Sequence, residues 1–412
     1  MIKILHTADI HLDSPLKSLA LRDPDLRDRV QAATRGAFAR IVEVALEEKV
    51  AALLIAGDLY DGAARSARTA AFLLEQLDRL RRGRIPVFYN KGNHDAENPI
   101  TGEVALPDNV HVFDGRGGRV KLDDHDVWIH GVSFSGRHAP DSLLGKFSAP
   151  VADSVNIAML HTSLAGAAGH DTYAPCTLSD LVGMGFDYWA LGHIHKRQVH
   201  SRSPFVVMPG IPQGRDIGEA GAQSATLLSI DDGRITLSEI ATSQVTFQRI
   251  DLSVAGCEDE DALRSHLRGE LRRIAADADS DATILRLRLS GAFARRWQVE
   301  RDRDTWSALI ATTARETGTL WVEKVEFALS DPGETGPDAT ATAELASFMQ
   351  TILDEPGFAA TLDSQLDDVL AELPAHLRAH LLPDAKAQAA LVRRLAGDGA
   401  RHVTALMKGA AE

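Results

Sequence analysis

Cysteine is nearly absent. Cys176 and Cys257 are the only two in 412 residues, and they lie far apart. That excludes a disulfide framework and a zinc–thiolate cluster, and it fits a reducing cytoplasm. No apolar run approaches the roughly 18 residues of a membrane helix. The apolar run after Met1 is interrupted by His6 and Asp9, too soon for a secretory signal. The expectation is a cytoplasmic protein that spans no membrane. Positive charge is also short: 44 Lys and Arg face 58 Asp and Glu, for a formal net charge of −14. A general nucleic-acid coat would be basic. The deficit speaks against one, yet leaves room for an enzyme that grips phosphates locally through metal ions. Repeats and low-complexity tracts are missing as well, and the length calls for two or three domains.

What is present is patterned. Ile2–Leu5 reads as a buried strand, and residues 30–49 carry the apolar spacing of an amphipathic helix. "VAALLIAGD" (50–58) is a short apolar run meeting a loop, 65–82 is helical again, and "IPVFYNKGNHD" (85–95) is a strand running into a polar loop. This is β-α-β-α-β, the pattern of a sheet with helices outside. After about 110 the strands crowd together at mostly hairpin spacing, with "DDG" (231–233) as a turn signal. Near 245 a second β-α-β-α-β unit begins. "DPGETGPDATAT" (331–342) is a linker by composition, and the remainder reads as helices broken by proline.

Twelve of the 16 His fall within residues 1–200, so any chemistry belongs to the first half. Polar clusters sit where its apolar strands end: Asp9-Ile10-His11, Gly57-Asp58-Leu59-Tyr60-Asp61, Gly92-Asn93-His94-Asp95 and Gly192-His193-Ile194-His195, together with the single His161 closing "NIAMLHT". Sites in α/β sheets form outside the carboxyl ends of strands. Residues two apart on extended chain share a face, so Asp9 with His11, and His193 with His195, make two-pronged ligand pairs. Glycine ahead of a ligand lets the backbone turn toward an ion. Imidazole with carboxylate suits Mn, Fe, Zn and similar ions. Asp9, His11, Asp58, Asn93, His161, His193 and His195 are seven side chains, too many for one ion and natural for two if a carboxylate bridges them. Singly, D-x-H is a cap and G-D-x-x-D an Asx-turn as readily as a ligand pair. Five such clusters in this order, all at strand ends, are not accidental. Asp13 reads as a turn or helix cap.

This order of motifs resembles the calcineurin-like metallophosphoesterases, and within them the bacterial DNA-repair nucleases of the SbcD and YhaO type. "HTADIHLDSPL", "IAGDLYDG", "PVFYNKGNHDA", "LPDNVHVF" and "YWALGHIH" carry the likeness, which is strong over 1–240 and weaker beyond. It implies an α/β fold: a two-sheet metallophosphoesterase sandwich flanked by helices over 1–244, a small α+β capping and DNA-binding domain over 245–332, and a linker and helical tail over 333–412 that binds a partner. It also implies a pair of divalent metal ions, Mn first, with Fe or Zn as substitutes. One ion would be held by Asp9, His11, Asp58 and His195, the other by Asp58, Asn93, His161 and His193. His94 would protonate the leaving oxygen and Asp61 would orient it. Implied partners are DNA ends and a coiled-coil ATPase docked on the terminal helices, with a homodimer also open.

The likeness has departures. Asp61 stands where the SbcD branch would carry His. In the loop "PGIPQGRDIGE" (209–219), Ile211 and Asp216 replace an expected Asn and His. Arg295, Arg296 and Trp297, read as lying on an exposed loop, are candidate DNA contacts, and Tyr60 and His138 candidates for the groove wall. "RLRRGR" (79–84) reads as the basic last turn of a helix. The leading expectation is a DNA exonuclease or endonuclease. The alternatives are a phosphodiesterase for small nucleotides and a non-catalytic subunit of an ATPase complex.

Overall fold

A computed structural model of the chain describes residues 1–14, 24–61, 66–96, 105–164, 173–330, 344, 347–349, 351–353, 355–374, 378, 381–382 and 384–410. The linker expected over 331–342 lies outside them. Two compact units emerge: Met1–Arg249 with Ala278–Leu285, and Ile250–Asp277 with Arg286–Glu412.

In chain order the first unit contains β1 (Ile2–Thr7), α1 (Pro24–Glu47), β2 (Ala52–Ala56), α2 (Ala67–Arg82), β3 (Val87–Asn90), β4 (Val110–Val112), β5 (Gly118–Lys121) and β6 (Val127–Gly131). It continues with β7 (Val155–His161), α3 (Leu178–Gly183), β8 (Tyr188–Gly192), β9 (Gln198–Arg202), β10 (Phe205–Met208), β11 (Ser224–Asp231) and β12 (Arg234–Ala241). One sheet has the order β12-β11-β1-β2-β3-β4, the other β5-β6-β7-β8-β10-β9. Strands β1 to β4 pair in parallel, as do β6, β7, β8 and β10.

Burial on both faces explains the near-continuous apolar strands. Ile4, Leu54 and Phe88 pack between the sheets against Ile157, Met159 and Tyr188. Their strand neighbours Leu5, Leu53 and Val87 face outward onto Phe38, Ile41 and Leu77. The outer face of the second sheet packs Leu160, Trp189 and Val206 on Phe186 and Leu181. Tyr60 belongs to the first outer core, 3% exposed, and so does not line a groove. Ser66 caps α2, whose last turn carries Arg79, Arg81 and Arg82 as expected.

The hairpin reading of the middle region needs correction. β11 and β12 do form a tight hairpin, with Asp231 opposite Arg234 and positive φ at Asp232 and Gly233, the type I′ pattern. But β6, β7 and β8 are parallel, and parallel neighbours require long crossovers. The chain between β6 and β7, and between β7 and β8, supplies those crossovers. Parallel pairing brings the carboxyl ends of β7 and β8 level, with His161 beside Gly192. It does the same for β1, β2 and β3, whose following loops stay in register: Asp9 N–H donates to Gly57 O and His11 N–H to Asp58 O, both at 3.0 Å.

A three-stranded sheet has the order β13 (Val245–Ser253), β14 (Ala282–Ala292) and β15 (Leu320–Ser330). The second unit also carries α4 (Glu260–Ala276), α5 (Arg296–Arg301), α6 (Arg303–Arg315), α7 (Pro356–Ala371) and α8 (Ala385–Ala410), with α8 packed on α5 and α7. The exposed loop expected around Arg295, Arg296 and Trp297 is instead the start of α5. Phe293 is buried, Arg295 precedes the helix, Arg296 lies 3.9 Å from Glu300, and Trp297 carries the Arg301 guanidinium over its ring.

Close packing at the strand ends makes a stability prediction. A Cβ on Gly192 would lie 1.9 Å from the Ala56 carbonyl oxygen, a backbone atom that cannot step aside. Gly192→Ala should lower stability by about 1–3 kcal/mol or more, read as a lower denaturation midpoint in chelator. Gly136→Ala, with open space around it, should stay within about 0.5 kcal/mol.

Candidate metal centre

Backbone geometry builds the site. Asp9, His11 and Asp58 have φ of +52°, +45° and +52°, and His193 has +101°. Non-glycine residues in such conformations cost about 1–3 kcal/mol each and gather at functional sites. Each turns its side chain away from the direction the strand would give it. Gly57, at φ +90°, precedes Asp58, and a Cβ there would meet His161 Nδ1 at 2.3 Å. A glycine ahead of each ligand is expected from sequence to serve turning. At Gly192 the need is close approach, and the unusual φ belongs to His193.

The expected residues converge. Asp9, His11 and His195 offer atoms within 4.8 Å of one another, and Asp58, His161 and His193 do the same. Asp58 lies between the groups, with Oδ2 3.9 Å from His11 Nε2 and 3.4 Å from His161 Nε2. Asn93 Oδ1 is 3.1 Å from His161 Nε2. His94 Nδ1 is 3.6 Å from Asp61 Oδ1, which is also 3.5 Å from His11 Nδ1. His94 stands half-exposed at the rim, its ring 4.9 Å from that of His11, and with His11 and Asp58 it makes a further possible ligand triplet. Beside His193 stands Tyr173, on which the exposed His138 stacks.

Ring tautomers follow from the outer contacts. His161 Nδ1 lies 3.0 Å from the Ala56 carbonyl, which only accepts, so Nδ1 carries a proton and Nε2, facing Asn93 and Asp58, is the nitrogen free to take a metal. His195 Nδ1 lies 2.6 Å from Glu219 Oε1, and His11 Nδ1 faces Asp61. Both remaining nitrogens are then acceptors, and they point at each other, with His11 Nε2 3.2 Å from His195 Nε2. Two lone pairs at that distance repel unless a cation lies beside them. The donor set therefore fits divalent metal: hard carboxylates, imidazole nitrogens, with the other ring nitrogen of His161 and His195 engaged, and no thiol.

Electrostatics agree. Burial would raise the Asp58 carboxyl, but His161 beside it holds it well below the usual carboxylate range. Burial alone would lower His161, yet the Asp58 charge raises it to about 9. The His11 hydrogen bond draws Asp61 down to about 2. By contrast His6, equally buried, touches Tyr188 Oη at 2.9 Å and the Leu191 carbonyl at 3.1 Å, and burial takes it down to about 3. It is a satisfied core histidine joining the two sheets.

Asp95 stands in the Gly92–Asp95 cluster without a role assigned from sequence, and Glu219 and Arg215 carry no sequence signal at all. Asp95 is fully buried, accepts from Tyr60 N–H and Gly92 N–H at 3.0 Å, and is pushed up to about 6 by burial and then by Asp58. Glu219 and Arg215 reach His195 from the 209–219 loop. Nothing in their spacing announces that contact. Asp13 takes the Arg35 guanidinium with both oxygens and accepts from Thr69 Oγ1, and residues 15–23, which it is expected to cap, lie outside those described. Ile211 is buried and its N–H donates to His195 O at 2.9 Å, while Asp216 caps its own turn at Gly218 N–H.

Residues 2–197 match the calcineurin-like phosphoesterase family, and 247–330 match the middle domain of metallophosphoesterase YhaO. The chain is 30% identical over 385 residues to a Bacillus subtilis (strain 168) protein named uncharacterized metallophosphoesterase YhaO, covering 91% of this chain and 90% of that one. It is 23% identical over 350 residues to the DNA double-strand break repair protein Mre11 of Methanopyrus kandleri, covering 74% and 73%. A dimetal phosphatase from Danio rerio aligns over 58% of this chain and 96% of its own, at 11% identity and a TM-score of 0.37. Identity of this extent, along nearly the whole of both chains, means that the chain belongs to the YhaO group of calcineurin-like metallophosphoesterases.

Proposed function

We propose that the chain is a two-metal phosphodiesterase that hydrolyses DNA at ends. The observation that carries the reading is the arrangement of acceptors around Asp58, two groups of ligating atoms sharing one carboxylate. Asp9, His11, Asp58 and His195 would hold one ion, and Asp58, Asn93, His161 and His193 the other. The oxygen and nitrogen donors suit Mn, with Fe or Zn as substitutes. Two ions there would supply Lewis acidity and an activated water for in-line displacement at phosphorus.

The chain's own residues do the rest. His193 N–H donates to both Asp9 oxygens, at 3.1 and 2.9 Å, and His94 N–H donates to Asp58 Oδ1 at 2.9 Å. Both carboxylates are thereby fixed before any ligand arrives. His94 at the rim gives its ring proton to the leaving oxygen, while Asp61 Oδ1, 3.6 Å from Nδ1, orients the ring. DNA as substrate is supported by the relatives named for break repair. A coiled-coil ATPase partner is part of the same proposal. Its dock would be the apolar cleft of about 610 Å³ lined by Ile352, Phe358, Leu366, Val392, Leu395 and Val403. Arg295, Arg296 and Trp297 stay as proposed DNA contacts, presented by α5 and the residue before it. No helix among the described residues is long and apolar enough to cross a membrane.

Protein dialysed against Mn should carry about two ions per chain by elemental analysis; one or none refutes the site. His94→Ala should keep both ions and lose about 10²–10⁴-fold in turnover, whereas His193→Ala should lose metal and turnover together. Wild-type turnover by His94→Ala would remove it from the mechanism. Assays on single- and double-stranded DNA ends, run beside cyclic dinucleotides and bis-p-nitrophenyl phosphate, separate nuclease from small-nucleotide esterase. Failure on all of them leaves the non-catalytic subunit. Leu395→Glu with Val403→Glu should abolish co-purification of the ATPase while leaving hydrolysis unchanged; retained co-purification places the dock elsewhere.

A further inference from the structure

We propose that Glu219 is a positioning residue for the metal centre, acting through His195; this rests on the metal reading above. Its carboxylate oxygen lies 2.6 Å from His195 Nδ1, the shorter of the two polar contacts this nitrogen makes. A carboxylate only accepts, so the proton sits on Nδ1 and the Nε2 lone pair is turned toward Asp9 and His11. An imidazole donating to a carboxylate is also a more basic ligand, and losing such a partner typically costs 10–100-fold in metal affinity.

The carboxylate is itself held. Arg215 donates to Oε2 from its backbone N–H at 2.7 Å and to Oε1 from Nη2 at 2.9 Å. Its loop is tied down from further along the chain. Gln223 Nε2 donates to the Glu219 carbonyl at 2.8 Å, and Gly221 N–H donates to Phe247 O at 2.8 Å. Arg249 donates to the Ile217 carbonyl through Nη2 at 3.1 Å. Phe247 and Arg249 lie on β13. The ring of His195, an exposed-side ligand at 26%, is thus oriented by a chain of contacts outside the ligand set.

The test is a metal titration of the full chain by calorimetry, with Mn²⁺ as probe and apo-protein melting measured in chelator. Glu219→Ala should weaken the affinity of one of the two ions by about 10–100-fold. Glu219→Gln, nearly isosteric, keeps an acceptor without the charge and should show a smaller loss in the same direction. Apo melting should stay near wild type. If both variants bind Mn²⁺ as wild type does, Glu219 has no positioning role; if Glu219→Ala fails to fold, unchanged binding by Glu219→Gln alone overturns the proposal. Wild type that binds no Mn²⁺ refutes the metal reading instead, so the two failures are distinct.

Discussion

The structure depends on one electrostatic constraint. Asp9, Asp58 and Asp95 are essentially buried, and imidazole lone pairs converge on the same volume. An acceptor-only cluster out of water is strongly unfavourable unless positive charge joins it. The chain meets part of that demand with main-chain donors, giving Asp9 the His193 N–H, Asp58 the His94 N–H and Asp95 two further N–H groups. With no ion bound, a proton held on His161 by the Asp58 charge meets a further part. A cation is what remains to be supplied.

The fold explains how such a cluster can be assembled at all. Two sandwiched sheets, each with a parallel core, present several carboxyl strand ends at one edge, so ligands far apart in sequence meet there. The cost is local backbone strain at Asp9, His11, Asp58 and His193. Aspartate and histidine tolerate a left-handed conformation better than branched residues do. The rigid interior between Ile4, Leu54, Ile157 and Tyr188 holds the strained turns in place.

Much of this was legible because two periodicities coincide. A short apolar run ending in a polar cluster marks a buried strand whose end faces a crevice, and Asp9, Asp58, Asn93, His161 and His193 could be read that way. Pairing direction could not, since the apolar content of β6, β7 and β8 is the same whether neighbours are parallel or antiparallel. Contacts made by side chains from remote loops were also invisible. Glu219 lies 24 residues from His195, and only tertiary packing brings their polar atoms to 2.6 Å. Arg296 and Trp297 were misread as loop residues because a two-turn helix carries too few positions for a period to show.

The acidity of the whole chain, at −14, looks ill-suited to a polyanionic substrate. The local balance resolves the conflict. Asp9, Asp58, Asp61 and Asp95 bring four carboxylates to the centre, and Glu219 is neutralised by Arg215. Two divalent ions bring four positive charges, and the histidine ligands are neutral once they coordinate. On the proposed occupancy the two ions offset these carboxylates, so the centre is a neutral patch in an acidic chain, and it stays neutral only while both ions are bound. Away from a filled site the surface repels phosphates, within the roughly 10 Å over which salt lets charge act. Such a chain would not coat nucleic acid. It would engage a phosphodiester where the metal centre is exposed to it, and any longer-range hold on DNA would have to come from local cations such as Arg295 or from a bound partner.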